Sequence, residues 1–243
     1  MFHVKQSDRK FLLIALDGPS GVGKSTTARI LKVLLSRLPG QPRVDLVSTD
    51  SFLYTNRQLE AMGLTQRKGF PESYRIRDLV RFLARVKSGV QGLEVPEYSH
   101  LYYDILPDQK QTVDQPDVLI VEGLNVLSTA AVLGQTTQKA PRVVVSDFFD
   151  FSLYVDAATH DIETWYVERF LMFVEQGRED PQSRFYVLRE FTTEELRQYA
   201  TGVWKRINEV NLRENILPTR ERAHLILGKG SDHSVSTVHL RRI

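Results

Sequence analysis

The 243-residue chain has no cysteine, two tryptophans, three methionines and a formal net charge of only +2. Without cysteine it has no disulfide framework, no thiolate zinc site and no cysteine nucleophile. The near-balanced charge is scattered, with no long block of one sign, so there is no electrostatic case for nucleic acid or an anionic membrane as partner. Long apolar runs are also missing. Phe11 to Leu16 is too short for a signal segment or a spanning helix, and the stretch before it, Met1 to Lys10, is polar. These absences lead to the expectation of a cytoplasmic protein that neither crosses nor binds a membrane. A hydrophobic fraction of 42% and a charged fraction of 26% are ordinary for a globular chain. The length is sufficient to bury a real core.

Strand and helix patterns alternate along the sequence. Phe11–Leu16, Val44–Ser48, Val118–Val121 and Phe151–Val155 read as buried strands, and Ala223–Leu227 and Val235–Arg241 as two closing strands. Apolar residues at helical spacing predict helices over Ser25–Leu38, Ile76–Lys87, Asp161–Gln176 and Thr193–Asn211. Residues 51–75 read as a long loop with one helical turn, and Val95–Asp104 as a short aromatic segment. The expected architecture is α/β: three layers, with a mostly parallel central sheet flanked by helices, in one domain over residues 1–243.

Gly18-Pro19-Ser20-Gly21-Val22-Gly23-Lys24-Ser25 matches G-x-x-x-x-G-K-[ST] in full, between a buried strand and an amphipathic helix. Glycines there let backbone N–H groups turn inward around phosphate oxygens, and the helix start adds its positive end. Lys24 brings a charge to the β/γ-phosphates, and Ser25 offers a hydroxyl to Mg2+. The motif points to a nucleoside triphosphate, with ATP and Mg2+ as the expected cofactors.

Three classes share this loop: small-molecule kinases, GTPase switches, and motor or transport ATPases. No N-K-x-D tetrapeptide for guanine occurs, and the strand at Val121 ends in a single carboxylate, Glu122-Gly123. Asp50 closes the strand that follows the P-loop helix, a strand expected to be the neighbour of the P-loop strand. At the ligand-binding edge of a parallel sheet, such a carboxylate can accept the proton of an attacking hydroxyl. The plainer reading makes Asp50 an N-cap. Glu122 shares that edge and could hold Mg2+ through water, or could simply be a turn acid before Gly123.

Five blocks then follow one another: Val47–Tyr54, Arg67–Tyr74, Tyr98–Leu101, Val121–Leu127 and Val145–Asp150. The tail Asn211-Leu212 through Asn215–Ala223 completes the series. Together they resemble bacterial type I pantothenate kinases, and the resemblance runs from Phe11 to Arg242. It implies ATP-dependent phosphorylation of the primary hydroxyl of pantothenate, the committing step toward coenzyme A. It also implies Asp50 as base and Arg169, in Trp165-Tyr166-x-x-Arg169-Phe170, facing the transferring phosphate. Tyr98, His100, Tyr103, Tyr166 and Asn208 would surround pantothenate. Lys229 and His233 would lie on one face of adenine. Arg29, His100 and Phe173 would take part in feedback inhibition by coenzyme A, and the protein would be a homodimer. The chain departs from the family pattern in the ten residues before Phe11, which are fewer than the family carries, and at Ser51, Thr55 and Leu188. Leu188 stands where a family tyrosine lines the acyl pocket. Outside this resemblance, the residues also fit a P-loop kinase of another alcohol, such as a nucleoside or sugar phosphate. A non-catalytic sensor of ATP or coenzyme A fits as well.

Overall fold

The structure, a computed structural model, describes residues 11–128 and 143–241. The polar stretch before Phe11 and residue Arg242 lie outside the described residues. β1 (Leu12–Asp17) leads through the P-loop into α1 (Lys24–Ser36), and β2 (Val44–Ser48) follows. Next come α2 (Asn56–Ala61), α3 (Ile76–Lys87), the hairpin strands β3 (Leu93–Ser99) and β4 (Asp104–Val113), and β5 (Val118–Glu122). β6 (Phe151–Ala157), α4 (Thr159–Gln176), α5 (Thr193–Val203), β7 (Leu225–Lys229) and β8 (Val235–Leu240) complete the chain.

Six strands form one sheet in the order β2-β5-β1-β6-β7-β8. The pairs β2–β5, β5–β1, β1–β6 and β6–β7 are parallel, and β8 is antiparallel to β7. The inner strands are apolar without alternation because helices cover both faces. Leu13, Ala15, Leu16, Leu119, Ile120, Val121, Tyr154 and Val155 are fully buried and form the centre of the core. β8 is exposed along its whole length, as an edge strand with polar residues permits.

Several sequence expectations need correcting. β2 does not neighbour β1, because β5 lies between them; Asp50 reaches the site from the sheet's outer strand. Residues 51–75 are not one loose loop. They hold α2 and short 3-10 turns, with a Thr55/Gln58 capping box starting α2. Val95–Asp104 belongs to the separate β3–β4 hairpin, with a register shift at Pro96/Glu97. The helix predicted to end at Asn211 continues in π-type turns through Trp204–Asn208 and Leu212–Ile216, then in a 3-10 turn that accommodates Pro218. On α1, Ala28 is buried but Ile30, Val33 and Leu34 are exposed, so only part of its apolar pattern faces the core.

Candidate active site

The parallel pairing aligns Leu16, Glu122 and Ser48 in one row across β1, β5 and β2. The P-loop, Glu122 and Asp50 therefore leave the sheet at the same carboxyl edge. Gly18 turns there with φ +144°, and a Cβ on it would lie 2.5 Å from the Val155 carbonyl oxygen. Gly23 starts α1 with φ +95°, where L side chains are strained. Asp17, fully buried, accepts from the N–H of Gly18 at 2.7 Å and of Leu127 at 2.9 Å, tying the loop's first turn to the segment after β5. Burial pushes its carboxyl up to about 7, against the two backbone hydrogen bonds and the charge of Lys24.

Lys24 donates to the Pro19 carbonyl at 2.8 Å. Burial lowers its pKa from the ordinary lysine value, while Glu122, Asp17 and Asp50 oppose that shift. The Ser25 hydroxyl donates to Glu122 Oε1 at 3.0 Å. Burial raises the Glu122 carboxyl, and Lys24 opposes the rise. Arg169 on α4 reaches across the cavity mouth to donate to Ser20 Oγ at 3.2 Å. The Ser48 hydroxyl accepts from the Asp50 N–H at 3.3 Å. Ser48 is thus the cap of the turn that follows, and the Asp50 carboxylate has no capping duty. The Tyr74 hydroxyl lies 3.4 Å from Asp50 Oδ1, and burial raises the phenol well above its ordinary value.

A cavity of about 910 Å³ covers the P-loop, with Ser20, Lys24, Ser25, Asp50 and Glu122 in its wall. Arg29 lines it too, exposed, with its Nε donating to the Ser25 carbonyl at 3.2 Å. At the far end His233 stacks on Trp165 at 4.2 Å, with the Lys229 ammonium 4.7 Å from the same ring. Lys229 also donates to the Val22 carbonyl at 2.8 Å, so this aromatic shelf is fastened to the loop itself.

A second cavity, of about 470 Å³, is lined by Lys68, Tyr103, Tyr166, Phe185 and Leu188. His100, Arg169 and Phe173 line both cavities and mark where they meet. His100 lies 5.3 Å from Tyr98 and 5.9 Å from Phe173, and Tyr98 faces Tyr103 edge-on at 6.4 Å. Asn208 stands behind the wall, within hydrogen-bonding reach of the Tyr166 hydroxyl. Most residues singled out from the sequence line one or both cavities. Tyr98 and Asn208 line neither and stand behind the walls, Tyr98 against His100 and Tyr103 and Asn208 against Tyr166. Within the loop, Gly18, Pro19 and Val22 also lie outside the cavity wall.

Sequence reasoning missed Lys68, Tyr74 and Trp165. Lys68 is nearly buried; its ammonium donates to Asn56 Oδ1 at 2.6 Å and to the Tyr103 carbonyl at 2.5 Å, and lies 4.2 Å from the Tyr103 ring. Burial pulls it down to about 8, against the attraction of Asp104 and Asp50. Lys68 and Tyr74 both lie in the Arg67–Tyr74 block, which was the available signal. Trp165 was visible beside Tyr166 on α4, but nothing in the sequence places it against His233.

Among the described residues no cluster of three or more His, Asp or Glu side chains is arranged to hold a metal. The nearest fit is the Ser25 hydroxyl beside the Glu122 carboxylate. Two oxygen donors suit an ion that keeps waters and takes its remaining ligands from substrate phosphates, as Mg2+ does. Among the same residues no helix is long and apolar enough to cross a membrane.

The phosphoribulokinase/uridine kinase family model matches residues 13–169. The pantothenate kinase of Brevibacillus brevis is 53% identical over 231 residues, 95% of this chain and 72% of that protein. The pantothenate kinase of Coxiella burnetii is 50% identical over the same shares. Among solved structures, D-glycerate 3-kinase from Cryptococcus neoformans superposes with a TM-score of 0.64 at 14% identity, over 98% of this chain and 92% of that one. That likeness shows the shared kinase fold alone. With half its residues identical to these enzymes over nearly its whole length, the chain belongs to the pantothenate kinase family.

Proposed function

We propose that the chain transfers the γ-phosphoryl group of ATP to the primary hydroxyl of pantothenate, giving 4'-phosphopantothenate, the first step of coenzyme A biosynthesis. The observation that carries this reading is the junction of the two cavities at His100, Arg169 and Phe173, with Asp50 in the wall of the phosphate side. A nucleotide on the P-loop would present its γ-phosphate there, and an alcohol in the second cavity would meet it in line.

Asp50 accepts the proton of the pantothenate hydroxyl as its oxygen attacks the γ-phosphorus. The bond from that phosphorus to the β,γ-bridging oxygen breaks, and ADP leaves. Lys24 and Arg169 stabilise the charge on the transferring group. Ser25 and Glu122 would hold Mg2+, which supplies charge neutralisation at the phosphates when bound. Trp165, His233 and Lys229 offer one face to adenine. Tyr98, His100, Tyr103, Tyr166 and Asn208 shape the acceptor pocket, and Lys68 adds positive charge beside it for an anionic substrate.

Arg29, His100 and Phe173 lie near the phosphate cavity, where coenzyme A would compete with ATP. The exposed apolar residues Ile30, Val33 and Leu34 on α1 support a homodimer that covers them. A cytoplasmic location completes the reading, in keeping with the cysteine-free sequence. A coupled ATP assay with pantothenate, with and without coenzyme A, tests the reading. Turnover with pantothenate is expected. Preference for uridine, a sugar phosphate or glycerate would overturn it, as would tight ATP binding with no turnover.

A further inference from the structure

Lys68 is followed by Gly69, whose carbonyl is the meeting point of two side-chain amides. Asn125 Nδ2 donates to it at 3.0 Å and Asn211 Nδ2 at 2.9 Å. Asn215 Nδ2 in turn donates to Asn211 Oδ1 at 2.9 Å, fixing which end of that amide faces Gly69. All three asparagines are buried. A carbonyl oxygen has two lone pairs, and here side chains from two distant parts of the chain fill both. Asn125 lies three residues beyond Glu122, on the phosphate side. Asn211 lies one helical turn beyond Asn208, on the acceptor side. The Gly69 backbone is held from below as well, since its N–H donates to Ser73 Oγ at 2.9 Å. Its φ of +92° is one that L side chains rarely adopt.

From this geometry we infer that Asn125 and Asn211 are positioning residues. They clamp the Gly69–Phe70 peptide, and thereby set the backbone from which the Lys68 ammonium reaches Asn56 and the Tyr103 carbonyl in the wall of the acceptor cavity. The clamp ties the segment after β5 to the C-terminal helix through one peptide group, so both walls of the site fix the same lysine. A peptide with both lone pairs engaged cannot rotate without losing two buried hydrogen bonds, which makes this a rigid mount. The inference rests on the proposed reaction only in naming pantothenate as the acceptor.

The test is a pair of double-mutant cycles, Asn211→Ala and Asn125→Ala, each with and without Lys68→Met. In the Lys68 background each asparagine substitution is expected to raise KM for pantothenate about tenfold, the size of one lost buried hydrogen bond. kcat and KM for ATP should change less than about twofold. In the Lys68→Met background the same substitutions should add little, because they act through the lysine. Equal fold-losses in both backgrounds, or parallel rises in both KM values, would overturn the inference.

Amide hydrogen exchange on the substrate-free protein gives a readout independent of activity. Both alanine variants should exchange faster over residues 68–74 and unchanged over the P-loop, 18–25; uniform acceleration or no change would count against the clamp. Asn125→Ala leaves the Asn211 bond in place and so remains informative if Asn211→Ala does not fold. If the unmodified protein does not turn over pantothenate, the proposed function fails, and the exchange measurement still decides the clamp.

Discussion

Eight consecutive residues, Gly18 to Ser25, make the loop that cradles the phosphates; Lys24 bonds the loop's own Pro19 carbonyl, while Glu122, Arg169 and Lys229 hold Ser25, Ser20 and the Val22 carbonyl from outside. The acceptor cavity has no such local frame. Lys68 comes from the turns after α2, Tyr103 from the β3–β4 hairpin, Tyr166 from α4 and Leu188 from the turn before α5. The phosphate end therefore depends on backbone geometry that one motif dictates. The acceptor end depends on tertiary placement, and a change in one segment can reshape it without touching the nucleotide. Leu188 lies at the acceptor end for that reason, while the P-loop pattern is complete. The junction at His100 and Arg169 is where the two kinds of construction must agree to within the tolerance of a reacting distance.

The sharpest way to break this comparison is to disable the junction and ask which end notices. Asp50→Asn should lower kcat by roughly 10²–10⁴-fold, the usual contribution of a positioned base. ATP binding, measured by titration calorimetry, should change less than about threefold, because the P-loop supplies its own contacts. Near-normal turnover in that variant would remove Asp50 as the base. Arg169→Lys comes next, with an expected loss in kcat of roughly a hundredfold, the cost of a misplaced donor at the transferring group. A rise confined to KM for ATP would instead make Arg169 a ground-state phosphate ligand.

The acceptor end should respond to pH through Lys68. With the Lys68 ammonium pulled down to about 8, its charge is present below that pH and lost above it. KM for pantothenate should therefore rise as pH passes through about 8, by up to roughly tenfold per unit. Lys68→Arg should move that limb to higher pH, since guanidinium keeps its proton. A pantothenate KM that stays flat across this range would show that Lys68 charge is not used.

The division between local and tertiary construction also explains what could be read from the sequence. β2 and α3 fall at the predicted boundaries because their apolar patterns are strong and their stops are explicit: Asp50 after β2 and Ser88-Gly89 after α3. The P-loop, Asp50 and Glu122 come together because one edge of a parallel sheet gathers them, and Arg169 reaches them from α4. The β3–β4 hairpin was not legible: Leu93 and Val95 are buried, but β4 is polar and largely exposed, so alternation fails on its second strand. The insertion of β5 between β1 and β2 has no local signature, since a parallel crossover can place the next strand on either side. Lys68 in Arg67-Lys68-Gly69 looks like a surface lysine; only the tertiary approach of Asn56, Tyr98 and Tyr103 buries it. Thr55-x-x-Gln58 is a capping box readable in the sequence and starts α2 within residues 51–75.

The smallest expected effect lies at the far end of the nucleotide cavity, and it separates the shelf from the cradle. His233 stacks on Trp165 with rings 27° from parallel, and Lys229 lies over the same tryptophan while holding the Val22 carbonyl. A base stacking on this shelf gains an aromatic contact of about 1 kcal/mol, and little of it changes as the phosphoryl group moves. His233→Ala should therefore raise KM for ATP roughly three- to tenfold while leaving kcat and KM for pantothenate within about twofold. Lys229→Ala should cost more than His233→Ala, because it also releases the Val22 carbonyl and loosens the loop at Gly23. If the order reversed, the shelf would be the principal anchor of the nucleotide, and the P-loop would be less self-sufficient than its unbroken motif implies.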